Sequence, residues 1–218
     1  MSGRFRVALT FDAEHPDRPN DGLGAGRVLD ALDDAGVPAT FFLQGRWVQA
    51  HPRVARRVAE AGHLVGSHSH YPARMPLFSA PGFDTDVRAA EAAIRRATGM
   101  DPRPWFRLPF GSGATHADLV LRLARLGYRH VGWHAEIREW RARETARSVH
   151  DRILARTRAH GDGAIVLLHT WPDPVGMSRA STIDALSAAG ATFVRVDQLD
   201  LPPGLDPVGE PRPPEARL

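Results

Sequence analysis

Strand-like and helix-like stretches alternate about seven times along these 218 residues, and that alternation limits the fold more than any other feature. Residues 5–11, Phe-Arg-Val-Ala-Leu-Thr-Phe, alternate and then turn apolar, as a buried first strand does. Helical periodicity at Val28, Leu29, Ala31 and Leu32 follows, stopped by Gly36 and Pro38. The pattern then predicts a strand over 39–43 and a helix over 48–61, and a strand over 63–68, a loop over 72–81 and a helix over 84–98. It continues with a strand over 105–110 and a helix over 117–126, then a strand over 128–133 and a helix over 144–159. A strand over 163–169, a helix over 181–189 and a strand over 192–196 complete it. Strands joined through helices lie parallel, with right-handed crossovers. Such units in one domain close into a barrel or spread into an open doubly wound sheet. No G-x-G-x-x-G follows the first strand, which counts against a dinucleotide fold.

The polar residues of interest fall where strands end. Asp12, Glu14 and His15 follow the first strand, and His68 and His70 the third. Arg107 lies in the fourth, His134, Glu136, Glu139 and Trp140 follow the fifth, and His169 ends the sixth. In a parallel barrel these ends share one face, where ligands bind. Trp171 could line the same cleft, and Gln44 its rim. Trp47 and Trp105 read as core, and His51, His63, His116, His130, His150 and His160 as structural or surface groups.

These groups suit hydrolysis of an acyl C–N or C–O bond. Carboxylate and imidazole side chains bind a divalent metal that polarises a carbonyl and activates water. A second carboxylate takes a proton from that water, and an imidazole gives one to the leaving group. An Arg beside the base holds it ionised. Nothing points to nucleic acid: all 28 basic residues are Arg, spread along the chain, and the net charge is only +3. With no Cys, disulfides and thiolate chemistry are excluded. No secretory leader pattern and no long apolar run is present, so a cytoplasmic protein without a membrane partner is expected.

The ordered motifs Thr10-Phe11-Asp12, His68-Ser69, Arg107-Leu108-Pro109-Phe110, Glu136-Ile137-Arg138-Glu139-Trp140 and Leu167-Leu168-His169 resemble those of the polysaccharide deacetylases. These are also called the NodB-homology domain or carbohydrate esterase family 4. The similarity covers about residues 5–196. It implies an α/β fold: a distorted (β/α) barrel of about seven parallel strands, one domain over 5–200, followed by a Pro-rich tail over 201–218. It implies a hydrolase of non-peptide carbon–nitrogen bonds, a metal-dependent deacetylase of an N-acetylated sugar or related small molecule, with metal-bound water as nucleophile. Asp12 would be the base, Arg107 would orient it, His169 would be the general acid, and Glu139 would tune that acid. Trp140, Pro109, Phe110 and Leu167 would contact substrate.

Two metal ligands of the family pattern are missing. Ala13 stands where the family usually has Asp, and Pro72 where it has the second His. Some branches place the metal carboxylate two residues after the base, which Glu14 fits. The expected ligands of Zn, or of Co or Ni, are then Glu14, His68 and His70, with His15 or water in reserve. His68 and His70 share a face only if the backbone between them is extended. Two alternatives stand beside this: a metal-independent hydrolase of an amide or cyclic imide, and an inactive carbohydrate-binding module that keeps the cleft.

Overall fold

The structure, a computed structural model, describes residues 4–16, 21–141, 143–172 and 182–201. The elements are β1 (Phe5–Ala13), α1 (Asp21–Ala35), β2 (Thr40–Leu43), α2 (Gly45–Ala50), α3 (Pro52–Glu60), β3 (Leu64–Ser67) and α4 (Ala80–Thr98). There follow β4 (Trp105–Phe106), α5 (Ala117–Arg125), β5 (Arg129–His130), β6 (Ala135–Glu136), α6 (Ala146–His160) and β7 (Ala164–His169). Last come α7 (182–188) and β8 (Ala191–Phe193). The expected tail lies almost wholly outside the described residues. No helix among the described residues is long and apolar enough to cross a membrane.

Every strand pairing is parallel, and the sheet runs β5-β4-β3-β2-β1-β7-β6, with β8 beside the start of β1. The two ends of that path are consecutive in sequence, so residues 131–134 join them covalently. One end of this segment bonds to β4 (Val131 N–H to the Phe106 carbonyl, 2.7 Å) and the other to β7 (His134 N–H to the Ile165 carbonyl, 2.9 Å). The sheet thus curls into a distorted barrel. Of the strand expected over 128–133 only β5 forms, because the Arg107 guanidinium occupies the next two carbonyls, and β6 begins beyond the expected span. The Arg107 Nε donates to the Val131 carbonyl (3.1 Å) and its Nη2 to that of Gly132 (3.0 Å).

Period-two alternation sorts β1 between two cores. Val7, Leu9, Phe11 and Ala13 face outward, where they pack with Val28, Leu29 and Leu32 of α1. Ala8 points inward with Phe42, Ile165 and Leu167. Thr10 and Asp12 share that inner face. Burial of each large apolar side chain stabilises the fold by about 1.5–3 kcal/mol. Trp47 is fully buried, as its reading as core requires.

Several helices differ from the periodicity. The helix expected over 48–61 is two, because Pro52 cannot continue α2 and instead opens α3. Helix α1 begins at Asp21, well before the apolar stripe at Val28. Helix α4 begins four residues earlier than expected, where the Ser79 hydroxyl accepts from the Gly82 N–H (3.3 Å) and Pro81 sits in the first turn.

Candidate active site

Two strands place the reacting groups side by side. Asp12 near the end of β1 is in register with His169 at the end of β7. Both open into a cleft of about 230 Å³, lined also by Glu14, His15 and His68. Its apolar wall is Phe110, Trp133, Trp140, Leu167 and Trp171.

Arg107 is fully buried and holds Asp12 from below. Its Nη1 donates to Asp12 Oδ1 (2.9 Å) and to the Thr10 hydroxyl (2.8 Å), which donates to the Val166 carbonyl (2.7 Å). Its guanidinium also stacks over the Phe42 ring at 4.1 Å. Burial pushes the Arg107 pKa down against the opposing charge of Asp12.

His169 is clamped from the other side. Glu139, almost fully buried, accepts from the His169 backbone N–H (2.6 Å) and pairs with its Nδ1 (2.9 Å). A carboxylate only accepts, so Nδ1 carries a proton and Nε2 is presented to the cleft. Burial pushes this imidazole's pKa down, but the charge and hydrogen bond of Glu139, then Glu14 and Asp12, prevail and raise it to about 9. His169 is therefore protonated at neutral pH. The Trp140 ring meets it edge-on at 4.7 Å.

Glu14 sits among three imidazoles. Its oxygens lie 3.2 Å from His15 Nε2, 3.4 Å from His68 Nε2 and 3.7 Å from His169 Nε2. Burial pushes its carboxyl up, but hydrogen bonds from His15 and His68 and the nearby imidazole charges hold it well below the ordinary value. His68 Nδ1 lies 2.9 Å from the Arg107 carbonyl, which can only accept. That proton is fixed on Nδ1, so Nε2 directs its remaining valence at Glu14 and, at 3.7 Å, at Asp12. Burial lowers the His68 pKa, but the Asp12 charge and Glu14 outweigh it and raise it.

His68 Nε2, facing two carboxylates, carries either a proton or a metal ion there. A carboxylate and an imidazole with an anchored second nitrogen are also the donor chemistry of a divalent metal. Glu14 and His68 therefore fit such an ion. Among the described residues, no group of three or more His, Asp or Glu side chains is already arranged to hold a metal ion.

Ala13 cannot contribute because it is fully buried on the outer, helix-facing side. The cleft-facing carboxylate after Asp12 has to be two residues on, at Glu14. The structure does not bring His70 to the cleft. Ser69 lies in the left-handed region (φ +67°), so the backbone is not extended there and His68 and His70 diverge. Asp86 of α4 fixes that turn, accepting from the Ser69 hydroxyl (2.6 Å), the His70 N–H (2.9 Å) and the Tyr71 N–H (3.1 Å). The His70 ring packs against Gly45, where a Cβ would meet its Nδ1 at 2.2 Å.

Phe110, Trp140 and Leu167 wall the cleft as expected, and so does Trp171. Pro109 does not; it is buried in the short 109–111 turn that presents Phe110 at φ +59°. Glu136 pairs with Arg138 (2.9 Å), and His134 stacks on His160 at 3.7 Å, both away from the cleft lining. Sequence reasoning missed Trp133 and Thr10. Thr10 could have been found from its place two residues before Asp12, on the same face of β1.

A curled parallel sheet carrying an Arg-held carboxylate beside a carboxylate-held imidazole defines a (β/α)-barrel with the equipment of a hydrolase. The family model for polysaccharide deacetylases matches residues 2–131. A chitooligosaccharide deacetylase of Rhizobium leguminosarum bv. trifolii is 35% identical over 189 residues, covering 84% of this chain and 82% of the relative. Among solved structures, a carbohydrate esterase family 4 pseudoenzyme from Bacillus anthracis superposes with TM-score 0.80 at 25% identity. That match covers 91% of this chain and 66% of the Bacillus protein, of which a mutant with restored enzymatic activity is also known. The T48 deacetylase, solved with substrate, has TM-score 0.78 at 27% identity, covering 95% of this chain and 97% of that one. The chain belongs to the polysaccharide deacetylase family.

Proposed function

We propose that this protein hydrolyses a carbon–nitrogen amide bond, removing the acetyl group from an N-acetylated sugar. The observation that carries this is the juxtaposition of two complementary pairs, Asp12 with Arg107 and Glu139 with His169, on neighbouring strands at one cleft. Relatives that are chitooligosaccharide deacetylases support the sugar substrate.

Asp12, held in place by Arg107, takes the proton from the attacking water as oxygen adds to the acetyl carbon. Collapse of the tetrahedral adduct breaks the C–N bond. His169 then delivers its Nε2 proton to the departing nitrogen, and Glu139 balances the charge of the imidazolium before transfer. The products are acetate and the free amine. Trp140, Phe110 and Leu167 present an apolar wall to the sugar face and the acetyl methyl. Glu14 and His68 would hold a divalent ion, whose chemistry when bound is to polarise the carbonyl and stabilise the developing oxyanion.

The test is acetate release from N-acetylglucosamine oligomers, with and without added zinc, by the wild type and by Asp12→Asn and His169→Ala. Each variant is expected to lose about 10²–10⁴-fold in kcat. Unchanged kcat in either variant would remove that residue from its role.

A second reading is favoured by Pro72, which has no donor where the family pattern carries a metal-binding His. On that reading the cleft binds carbohydrate without turnover; the Bacillus neighbour is itself a pseudoenzyme of carbohydrate esterase family 4. Saturable oligosaccharide binding without acetate release at any metal concentration would select it.

A further inference from the structure

We propose that His15 is the third protein ligand of the cation site, replacing the imidazole that Pro72 does not supply. This rests on the metal-dependent reading above.

The backbone carries the first part of the case. Along an extended strand, residues 12 and 14 face the cleft, and residues 13 and 15 face the helices. Ala13 obeys that rule, packed in the outer core. His15 breaks it. Its φ of +60° lies in the left-handed region that non-glycine residues avoid, and that reversal returns the next side chain to the side of Glu14. His15 consequently lines the cleft with Asp12, Glu14 and His68.

The spacing carries the second part. In a tetrahedral zinc site with bonds of about 2.0–2.2 Å, neighbouring donor atoms are roughly 3.3–3.6 Å apart. His15 Nε2 lies 3.2 Å from Glu14 Oε1, and His68 Nε2 lies 3.4 Å from Glu14 Oε2. The two imidazoles thus flank the two oxygens of one carboxylate, each at a separation that such an edge would have. The hydrogen bond from His15 to Glu14 holds its ring where a shared ion would draw it. Its side chain is 25% exposed, which leaves room for the small rotation that turns a hydrogen bond into coordination. The Trp171 ring meets it edge-on at 5.8 Å and limits that rotation.

His70 cannot take this part without remodelling the turn. Three donors fix that turn to Asp86, and Gly45 fills the space on its far side.

The test is zinc titration of the full chain by calorimetry, with the visible absorption of the cobalt-loaded protein as a second readout. His68→Ala is included as a control for loss of a donor of the site proposed above. His15→Ala and His15→Gln are each expected to weaken zinc binding at least about tenfold and to change the cobalt spectrum, whereas His70→Ala stays within twofold of wild type. Adding Pro72→His to the His15→Ala chain is expected to recover affinity. Wild-type affinity in a His15→Ala chain that melts like the wild type overturns the inference and leaves acetate release by the wild type untouched. A loss in His70→Ala equal to that in His15→Ala also overturns it. A wild type that binds no zinc and releases no acetate overturns the metal-dependent reading, and this inference with it.

Discussion

Replacing Arg107 with Met tests the centre of the barrel directly. The guanidinium has no exposed surface and makes four hydrogen bonds, to Asp12, Thr10, Val131 and Gly132. Methionine matches much of the stem but satisfies none of these partners. Asp12, only 3% exposed, would be left as a buried carboxylate with its counter-charge removed. Breaking one side of such a pair costs about 3–5 kcal/mol. In a chain of this size 1 kcal/mol moves the melting temperature by about 2–4 °C, so a fall of roughly 6–20 °C is expected. The assay is a double-mutant cycle by urea unfolding: wild type, Arg107→Met, Asp12→Asn and both together. The double variant is expected to recover at least about 2 kcal/mol relative to the sum of the single losses, because removing both charges removes the stranded one. An Arg107→Met loss below about 1 kcal/mol, or strict additivity, would refute the view that a buried ion pair joins β1 to the 131–134 crossing.

Ala13→Asp restores the family's usual residue, yet it is expected to destabilise by roughly 3–5 kcal/mol without raising zinc affinity, since position 13 faces the helices; chemical denaturation and zinc titration together check this. Gly45→Ala is expected to cost about 1–3 kcal/mol in urea melts, because its Cβ would meet His70 Nδ1 at 2.2 Å and the Ala90 Cα at 3.0 Å, and His70→Ala in the same chain should relieve most of that. His130 is almost fully buried, and its Nδ1 accepts from the Leu108 N–H (3.3 Å). Burial first, then the Arg107 charge, pushes its pKa from 6.5 to about 3. The folded state therefore binds fewer protons than the unfolded one. Stability from this group is complete above pH 6.5 and is lost as pH falls toward 3, at about 1.4 kcal/mol per pH unit. His130→Asn keeps an acceptor and is expected to flatten unfolding free energy against pH by about one proton over that window; an unchanged slope would show that His130 is not the group titrating.

The alternation of apolar strands with amphipathic helices determined the parallel barrel, because a strand buried on both faces must be apolar and a crossover helix must show its own period. The same local logic located Asp12, Arg107, Glu139 and His169, since strand ends in a parallel sheet meet at one face whatever the loops do. Asp12 and Glu14 on one face also follow from period two alone. Sequence reasoning did not resolve what depends on backbone turns. Whether His68 and His70 converge hinges on one dihedral at Ser69, and that dihedral is fixed by Asp86, which lies 17 residues away. The early end of the strand expected over 128–133 is likewise tertiary, because the carbonyls of Val131 and Gly132 are taken by Arg107 from another strand end. The return of His15 to the cleft is of the same kind. Periodicity reports which face a regular element presents, but a single left-handed residue reverses that face, and only the packed neighbours decide where one is tolerated.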